Sequence, residues 1–571
     1  MNRNTELHFS ELPSVEISRS KFDRSFTHKL TFDSGKLIPI YVDSSIMPGD
    51  TVKMGVSEVV RMMTPICPVM DNAYMDIYFF FVPHRIVWDN FKKFMGENDT
   101  APWTVQYDGK VPKLIAPTGA NSISGHKGWT KGSIADYMGI PTEVDNFKIN
   151  ALPFRAYTAC WNEFFRDENI MYPQIVSKAD YDVNGRTIGS TKEAEYPLYL
   201  GISGGTPLPV CKLHDYFTSC LPDAQKGNPV SLPLAKDAIP VTYGEMTGTW
   251  GNVNTNFAEG KPVNIVRDDW HETAYWEYGV LAGNEAGQPM TAMSNNEGAG
   301  LYVDLSAATG ATVNQLRQAF AIQKFMERDA RNGTRFIETI KSHFDVTNPD
   351  YRLARPEYLG GKRIPVNMNT VVQNSPTTGD DITPLGTTGA YSVTSDSDED
   401  LFTKSFTEWG TLLGLVCVRT DRTYQQGLNR QWSMSDKYDF YWPEFANLGE
   451  EIVTNKELYL QGDNVKDNDG NIIDDKAFGY QERYAWYRMM PDLVSGELRS
   501  NYSQSLDVWH YADYYTQLPT LSDTWLKEDK SNIERTLAVQ DHDQFIGDFF
   551  FKAIYTRPMP LYSVPGLIDH H

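Results

Sequence analysis

Gly201-Ile202-Ser203-Gly204-Gly205 has the G-x-S-x-G spacing of a nucleophile elbow, the strained strand-to-helix turn that lifts a serine hydroxyl above a sheet. That device needs a helix directly after the serine, and Thr206-Pro207-Leu208-Pro209 forbids one, so the spacing predicts a glycine turn between strands. Asp467-Asn468-Asp469-Gly470-Asn471 places oxygen ligands at alternate positions around a turn glycine, as a calcium loop does. Val465 and Lys476 stand where such a loop requires its first and last acids. An exposed turn is therefore expected, with Asp467, Asp469 and Asn471 as candidate cation ligands. Asp541-His542-Asp543 sets an imidazole between carboxylates in a polar turn, which predicts a solvated histidine. No H-E-x-x-H, phosphate-binding loop or dinucleotide fingerprint occurs. No catalytic residue, no cofactor and no enzyme is expected.

Two groups of side chains suit binding instead. Residues 317 to 363 carry ten basic and six acidic side chains in a chain whose formal net charge is -22. Within them Arg317, Lys324, Arg328 and Arg331 fall on one side of a helix and could face phosphates; the plainer alternative is a solvated face or ion pairs with a neighbour. Arg19, Lys21 and Arg24 pose the same question, with Phe22 and Phe26 able either to stack on bases or to fill a strand core. Residues 236 to 300 hold nine glycines, seven aromatics and nine acids against three bases. Their Trp250, Trp270, Tyr275, Trp276 and Tyr278 could bind sugars, but aromatics in a short insertion first serve to stabilise it.

The elements that must position these groups read as strands with helical insertions. Ser18 to Asp50 alternates apolar residues about turn signals at Asp33-Ser34-Gly35 and Pro48-Gly49, predicting strand, hairpin, strand. Asn72 to Val82 is apolar at nearly every position and predicts a central strand buried on both faces, ended by Pro83. Trp88 to Met95 and Asn150 to Asp167 carry helical spacing. A further helix is bounded by a capping box at Thr312 to Gln315 and a stop at Asn332-Gly333; Leu316, Ala319, Phe320, Ile322, Phe325 and Met326 form its expected core face. Ser375 to Asp400 and Asp463 to Asp475 read as polar loops. Leu401 to Arg419 reads as a β run with a bulge at Gly414, and Gln544 to Tyr562 as a last apolar strand. Apolar strands at both ends predict a barrel or sandwich that unites the termini.

The totals agree with a large core: 41% hydrophobic and 13% aromatic residues, with 42 glycines and 32 prolines spread along 571 positions. The acidic balance excludes a surface that coats nucleic acid throughout. Cys67, Cys160, Cys211, Cys220 and Cys417 contain no C-x-x-C pair and predict free thiols. Met1 to Arg24 lacks an apolar core and no long apolar run follows, so neither secretion nor membrane insertion is expected.

Several segments together resemble the major capsid protein of gokushoviruses, the small circular single-stranded-DNA bacteriophages of the microvirus group. They include FDRSFTHKLTFDSGKLIPIYVDSSIMPGD, PVMDNAYMDIYFFFVPHRIVWDNFKKFMGE, HDYFTSCLPDAQKG, RPEYLGG, SFTEWGTLLGLVCVRTDRTYQQGLNRQWS, FGYQERYAWYR and TRPMPLYSVPGLIDHH, in collinear order over most of the chain. The resemblance lapses in residues 236 to 300, where that family is hypervariable.

That resemblance implies an eight-stranded antiparallel jelly roll, 1 to 235 and 301 to 571 forming its two parts, with 236 to 300 as a surface protrusion near a threefold axis. It implies a virion subunit that self-associates into a T=1 icosahedral shell around circular single-stranded DNA after assembly in the bacterial cytoplasm. Its implied partners are a small basic DNA-binding protein, an internal scaffolding protein, a minor pilot protein and a host cell surface receptor. The residues alone leave two rivals: a β-rich carbohydrate-binding or carbohydrate-active protein, and a monomeric nucleic-acid-binding module that the net charge disfavours.

Overall fold

The computed structural model describes residues 18–97, 107–118, 127–228, 313–331, 335–347, 349–350, 352, 354–375 and 384–562, with short strands at 241–243, 249–250, 253–254 and 301–303. Two compact units result, one of residues 1–224 with 330–571 and one of residues 225–329. The second unit extends beyond 236–300 on both sides.

The first unit is mainly β and antiparallel. Its main strands are β1 (Ser20–Asp23), β2 (Phe26–Phe32), β3 (Ile38–Ile46), β4 (Thr51–Met62), β5 (Ala73–Pro83), β6 (Glu357–Pro365), β7 (Thr394–Ser405), β8 (Gly410–Thr420) and β9 (Phe545–Arg557). One sheet runs β1-β9-β4-β7, with β2 also on β9; the other runs β6-β5-β8-β3. Val52, Met54, Val56, Phe549 and Phe551 of the first sheet meet Met75, Ile77, Phe79 and Val416 of the second in one core. Period-two alternation supplies those residues: in β9, Phe545, Phe549, Phe551 and Tyr555 point inward while Ile546, Phe550 and Lys552 point out.

β5 is central and buried on both faces, because a second core covers the sheet from outside. Phe80, Val82, Leu413, Leu415 and Cys417 there meet Phe154, Tyr157 and Trp161 of helix α1 (Leu152–Phe164). Pro153 fits the first turn of α1, where its missing N–H has no intrahelical partner to lose. Three donors fix α1 on the sheet: Arg155 Nη1 to Val87 O at 3.2 Å, Tyr157 Oη to Leu37 O at 2.8 Å and Trp161 Nε1 to Pro209 O at 2.7 Å. All five cysteines are free thiols, and burial raises those of Cys160 and Cys417 above their ordinary value.

Several expectations are corrected. β2 and β3 form no hairpin: β2 pairs with β9 and β3 with β8, so the chain changes sheets at Gly35. Gly35 has φ +75°, and an added Cβ would lie 2.6 Å from Glu528 O. Asp396 to Asp400 belongs to β7 and not to a loop, its charges held by Lys362, Lys53 and Lys552. Trp88 to Met95 is interrupted, with one turn at His84–Val87 and another at Phe91–Phe94. Helix α2 (Val313–Arg331) forms as expected, but much of its apolar stripe is exposed. Phe320 is 64% and Phe325 54% exposed, Ile322 is exposed, and only Ala319 of that stripe is buried. Thr312 and Asn332-Gly333, its expected boundaries, lie outside the described residues. The register shifts between Gly414 and Leu415 against β3, but the extra residue is Ile40 of β3, and Gly414 itself pairs in unbroken register with β5.

Candidate functional site

Ser203 is buried and donates its hydroxyl to Leu200 O at 3.0 Å, closing a short helix, Leu200–Ser203, that ends on left-handed Gly204. The expected turn between strands is thus a helix end, because Trp129 Nε1 bonds Ser203 O at 3.1 Å and packs where a Cβ on Gly204 would sit. The hydroxyl is spent on the backbone and turned into the protein. Asp467 accepts the backbone N–H of Asp469 at 2.9 Å and of Asn471 at 2.8 Å and pairs with Lys476. That ammonium, then the Asn471 N–H, pulls the Asp467 carboxyl down to about 2. Lys476, the residue that broke the calcium pattern, therefore occupies the carboxylate a cation would need. Among the described residues no three His, Cys, Asp or Glu side chains gather as a metal site would require. Asp543 accepts from Thr31 Oγ1, and His542 is exposed.

The basic candidates divide. Arg24 bonds Asp43 at 2.5 Å and lies 4.8 Å over the Tyr555 ring, while Tyr555 Oη donates to Asp43 at 2.7 Å. It closes the end of the sandwich. Phe26 packs on Phe551 and Tyr41 yet stays 43% exposed, so it sits at the margin of the core. Lys21 is exposed, and Arg19 is exposed with a long bond to Thr51. Arg317, Lys324 and Arg328 are exposed on α2, whereas Arg331 pairs with Glu450. Arg363 and Arg419 share the buried Asp76 carboxylate, and Arg335 is held by Glu168 at 2.8 Å. Half of the basic run, Arg331, Arg335, Arg355, Lys362 and Arg363, is thus spent on ion pairs. Trp250 lies in a two-residue strand paired with Val253–Asn254; Trp270, Tyr275, Trp276 and Tyr278 lie outside the described residues.

The sequence reading missed a surface. Trp432, Tyr438, Phe440, Tyr441 and Trp442 are each close to half exposed or more, Trp432 at 73%, and Tyr487 stands beside them. Three short 3₁₀ turns hold the segment, at Arg430–Ser433, Lys437–Asp439 and Pro443–Phe445. Trp442 donates its indole N–H to Lys437 O at 2.8 Å, Tyr441 N bonds Tyr487 Oη at 3.2 Å, and Tyr484 Oη donates to Phe440 O at 3.3 Å. Tyr441 packs edge to face on Tyr484 at 5.0 Å and on Tyr487 at 6.2 Å. The sign was present in RQWSMSDKYDFYWPEF, six aromatics in sixteen residues, but it fits no periodicity.

A mainly β, antiparallel sandwich with a fixed aromatic surface fits the class of proteins that work through their surfaces. The chain belongs to the phage capsid protein (F protein) family, which matches residues 10–567. It is 42% identical over 577 residues to the capsid protein VP1 of Bdellovibrio phage phiMH2K, covering 99% of this chain and 98% of that one. Capsid protein VP1 of Chlamydia phage 1 is 39% identical over 98% of this chain and 97% of its own. That of Spiroplasma virus 4 is 38% identical, over 99% and 98%. The gokushovirus resemblance is therefore one of descent over the whole length. The chain is a structural capsid protein and a component of the virion, not an enzyme. Among the described residues no helix is long and apolar enough to cross a membrane.

Proposed function

We propose that this chain closes into a T=1 icosahedral shell around a circular single-stranded DNA genome. One observation carries the self-association: the aromatic surface from Trp432 to Trp442 is exposed yet held in place by its own hydrogen bonds. Exposed aromatic area that is already ordered loses little entropy on docking, the condition for a subunit interface. The uncovered Phe320 and Phe325 of α2, with Phe336 and Phe344 of helix α3 (Phe336–Phe344), supply further apolar area. A jelly-roll core suits the strand pairing. β1 pairs with Ile554 to Arg557 and β2 with Phe545 to Phe551, so the two act as one broken strand and each sheet counts four.

An acidic subunit enclosing DNA requires cations from elsewhere, which a small basic DNA-binding protein would supply. Scaffolding and pilot proteins complete the particle in this reading, and residues 236 to 300 form a surface protrusion that meets a host receptor. Negative-stain electron microscopy of the purified protein, with nuclease-protected DNA assayed on the same sample, tests it. Uniform small icosahedral particles holding protected single-stranded DNA are expected. A stable monomer that stays unassembled with the other virion proteins overturns the proposal.

A further inference from the structure

Outside the sandwich, between the end of α1 and β6, lies a cavity of about 780 Å³ whose described lining comes from residues of the first unit alone. Its size is that of a small-molecule site. The lining is of two kinds. Arg166, Lys212, Arg331, Arg335, Arg355 and Arg419 outnumber the four carboxylates Asp167, Glu168, Glu338 and Asp350. Aromatic rings form the remainder: Tyr78 meets Phe165 edge to face at 5.2 Å, Tyr358 lies 5.6 Å from Phe80, and the Arg355 guanidinium lies 5.0 Å over Phe164.

The carboxylates are committed. Glu168 and Glu338 hold Arg335, Asp350 holds Arg355 at 2.9 Å, and Asp167 accepts the N–H groups of Asn169 and Ile170. The donors are not all used. Arg166 and Arg419 each keep a buried Nε–H with no acceptor among the described residues. A buried donor without a partner is destabilising, and an incoming acceptor removes that cost. Burial, and then the neighbouring Arg335 charge, draws the Arg166 guanidinium below its ordinary value, the mark of a crowded positive site.

We infer that this cavity takes one nucleotide unit of a single-stranded nucleic acid, its phosphate toward the guanidinium groups and its base against the Tyr358 and Phe165 rings. The inference deepens the proposed genome enclosure and rests on it. Unpaired bases stack on aromatic and guanidinium planes irrespective of sequence, which suits a wall repeated in every subunit. A basic peptide would meet like charge there. An acidic peptide would satisfy the guanidinium groups but leave the rings unused.

The test uses the full-length chain before assembly, with a fluorescent oligothymidylate as probe and an abasic oligonucleotide of equal length for comparison. Expected are binding at least about tenfold weaker for the abasic strand, and a loss of about tenfold or more in Y358S and in R355Q. Thymidine monophosphate should compete, and inorganic phosphate should compete more weakly. Equal binding of the two strands overturns the base contact, and stronger competition by an acidic peptide reassigns the cavity. Should a variant misfold, photocrosslinking of 5-iodouracil-substituted DNA to the wild-type chain decides. Crosslinks at Tyr358 or Phe165 are expected, and crosslinks confined elsewhere sink the site. Closed particles with protected DNA but no such crosslinks would defeat this inference alone and leave the shell reading standing.

Discussion

Lys362 Nζ on β6 lies 2.8 Å from Glu58 Oε2 on β4 and joins the two sheets of the sandwich. The Glu58 side chain is fully buried, and burial raises its carboxyl to about 7 although Lys362 pulls the other way. A carboxyl with a folded value above its ordinary 4.5 binds more protons folded than unfolded between those limits, so stability falls as pH rises through that window and levels off above it. The shift sets a ceiling of about 3 kcal/mol. Glu58→Gln should flatten this part of the dependence and match or exceed the wild type above about pH 7. Thermal melts of the unassembled chain across that range check it, and parallel wild-type and variant curves would exclude Glu58 as the source.

Asp76 presents the opposite balance. Burial pushes its carboxyl up, but the hydrogen bonds from Arg363 and Arg419 outweigh this and hold it below its ordinary value. Its contribution is present above the ordinary carboxyl value and is lost as pH falls through the lowered one. Asp76→Asn leaves two guanidinium groups around a neutral amide on the outer face of β5, at a cost of about 3–5 kcal/mol. Urea unfolding of the unassembled chain should show a midpoint shift of that size with an unchanged slope. A loss below about 1 kcal/mol would show that the arginines find other acceptors.

What could be read ahead of the structure follows from how locally each element is determined. β5, β8, β9 and α1 announce themselves because their own apolar residues outweigh any context. The pairing of β2 does not: whether it turns back on β3 or crosses to β9 depends on residues more than five hundred positions away. The part of β7 up to Asp400 reads as a loop because its acids repel in isolation, and it is a strand because Lys53, Lys362 and Lys552 come from distant segments. For α2 the amphipathic pattern is correct, yet Phe320 and Phe325 of its stripe stay exposed. For Arg24 and Arg331 the sequence leaves phosphate contact and ion pairing both open, since nothing in it shows Asp43 or Glu450 beside them.

Trp432 offers the cleanest test of the aromatic surface, since at 73% exposure it contributes little to the fold of its own chain. Trp432→Ser should change the unfolding midpoint by less than about 1 kcal/mol, the range of a surface substitution. A buried interface tryptophan is worth about 2 kcal/mol or more, and a closed shell repeats the loss at every contact. The concentration needed for particles should therefore rise at least about tenfold, by sedimentation and electron microscopy. Wild-type assembly by a folded Trp432→Ser chain would remove this surface from the interface.

Arg317, Lys324 and Arg328 are exposed on one helix, α2. If that face meets phosphates, the triple change to Glu should leave empty shells able to form while nuclease-protected DNA drops several-fold. Neutralising three phosphate contacts on a single strand contributes about 2 to the slope of log affinity against log salt, and the variant should lose that slope. Shells that fail to form place the face at a subunit interface, where its uncovered Phe320 and Phe325 would belong. Unchanged shells with unchanged DNA would mark an ordinary solvated face. Particle yield, protected DNA and the salt slope therefore distinguish three roles of one helix within a single variant.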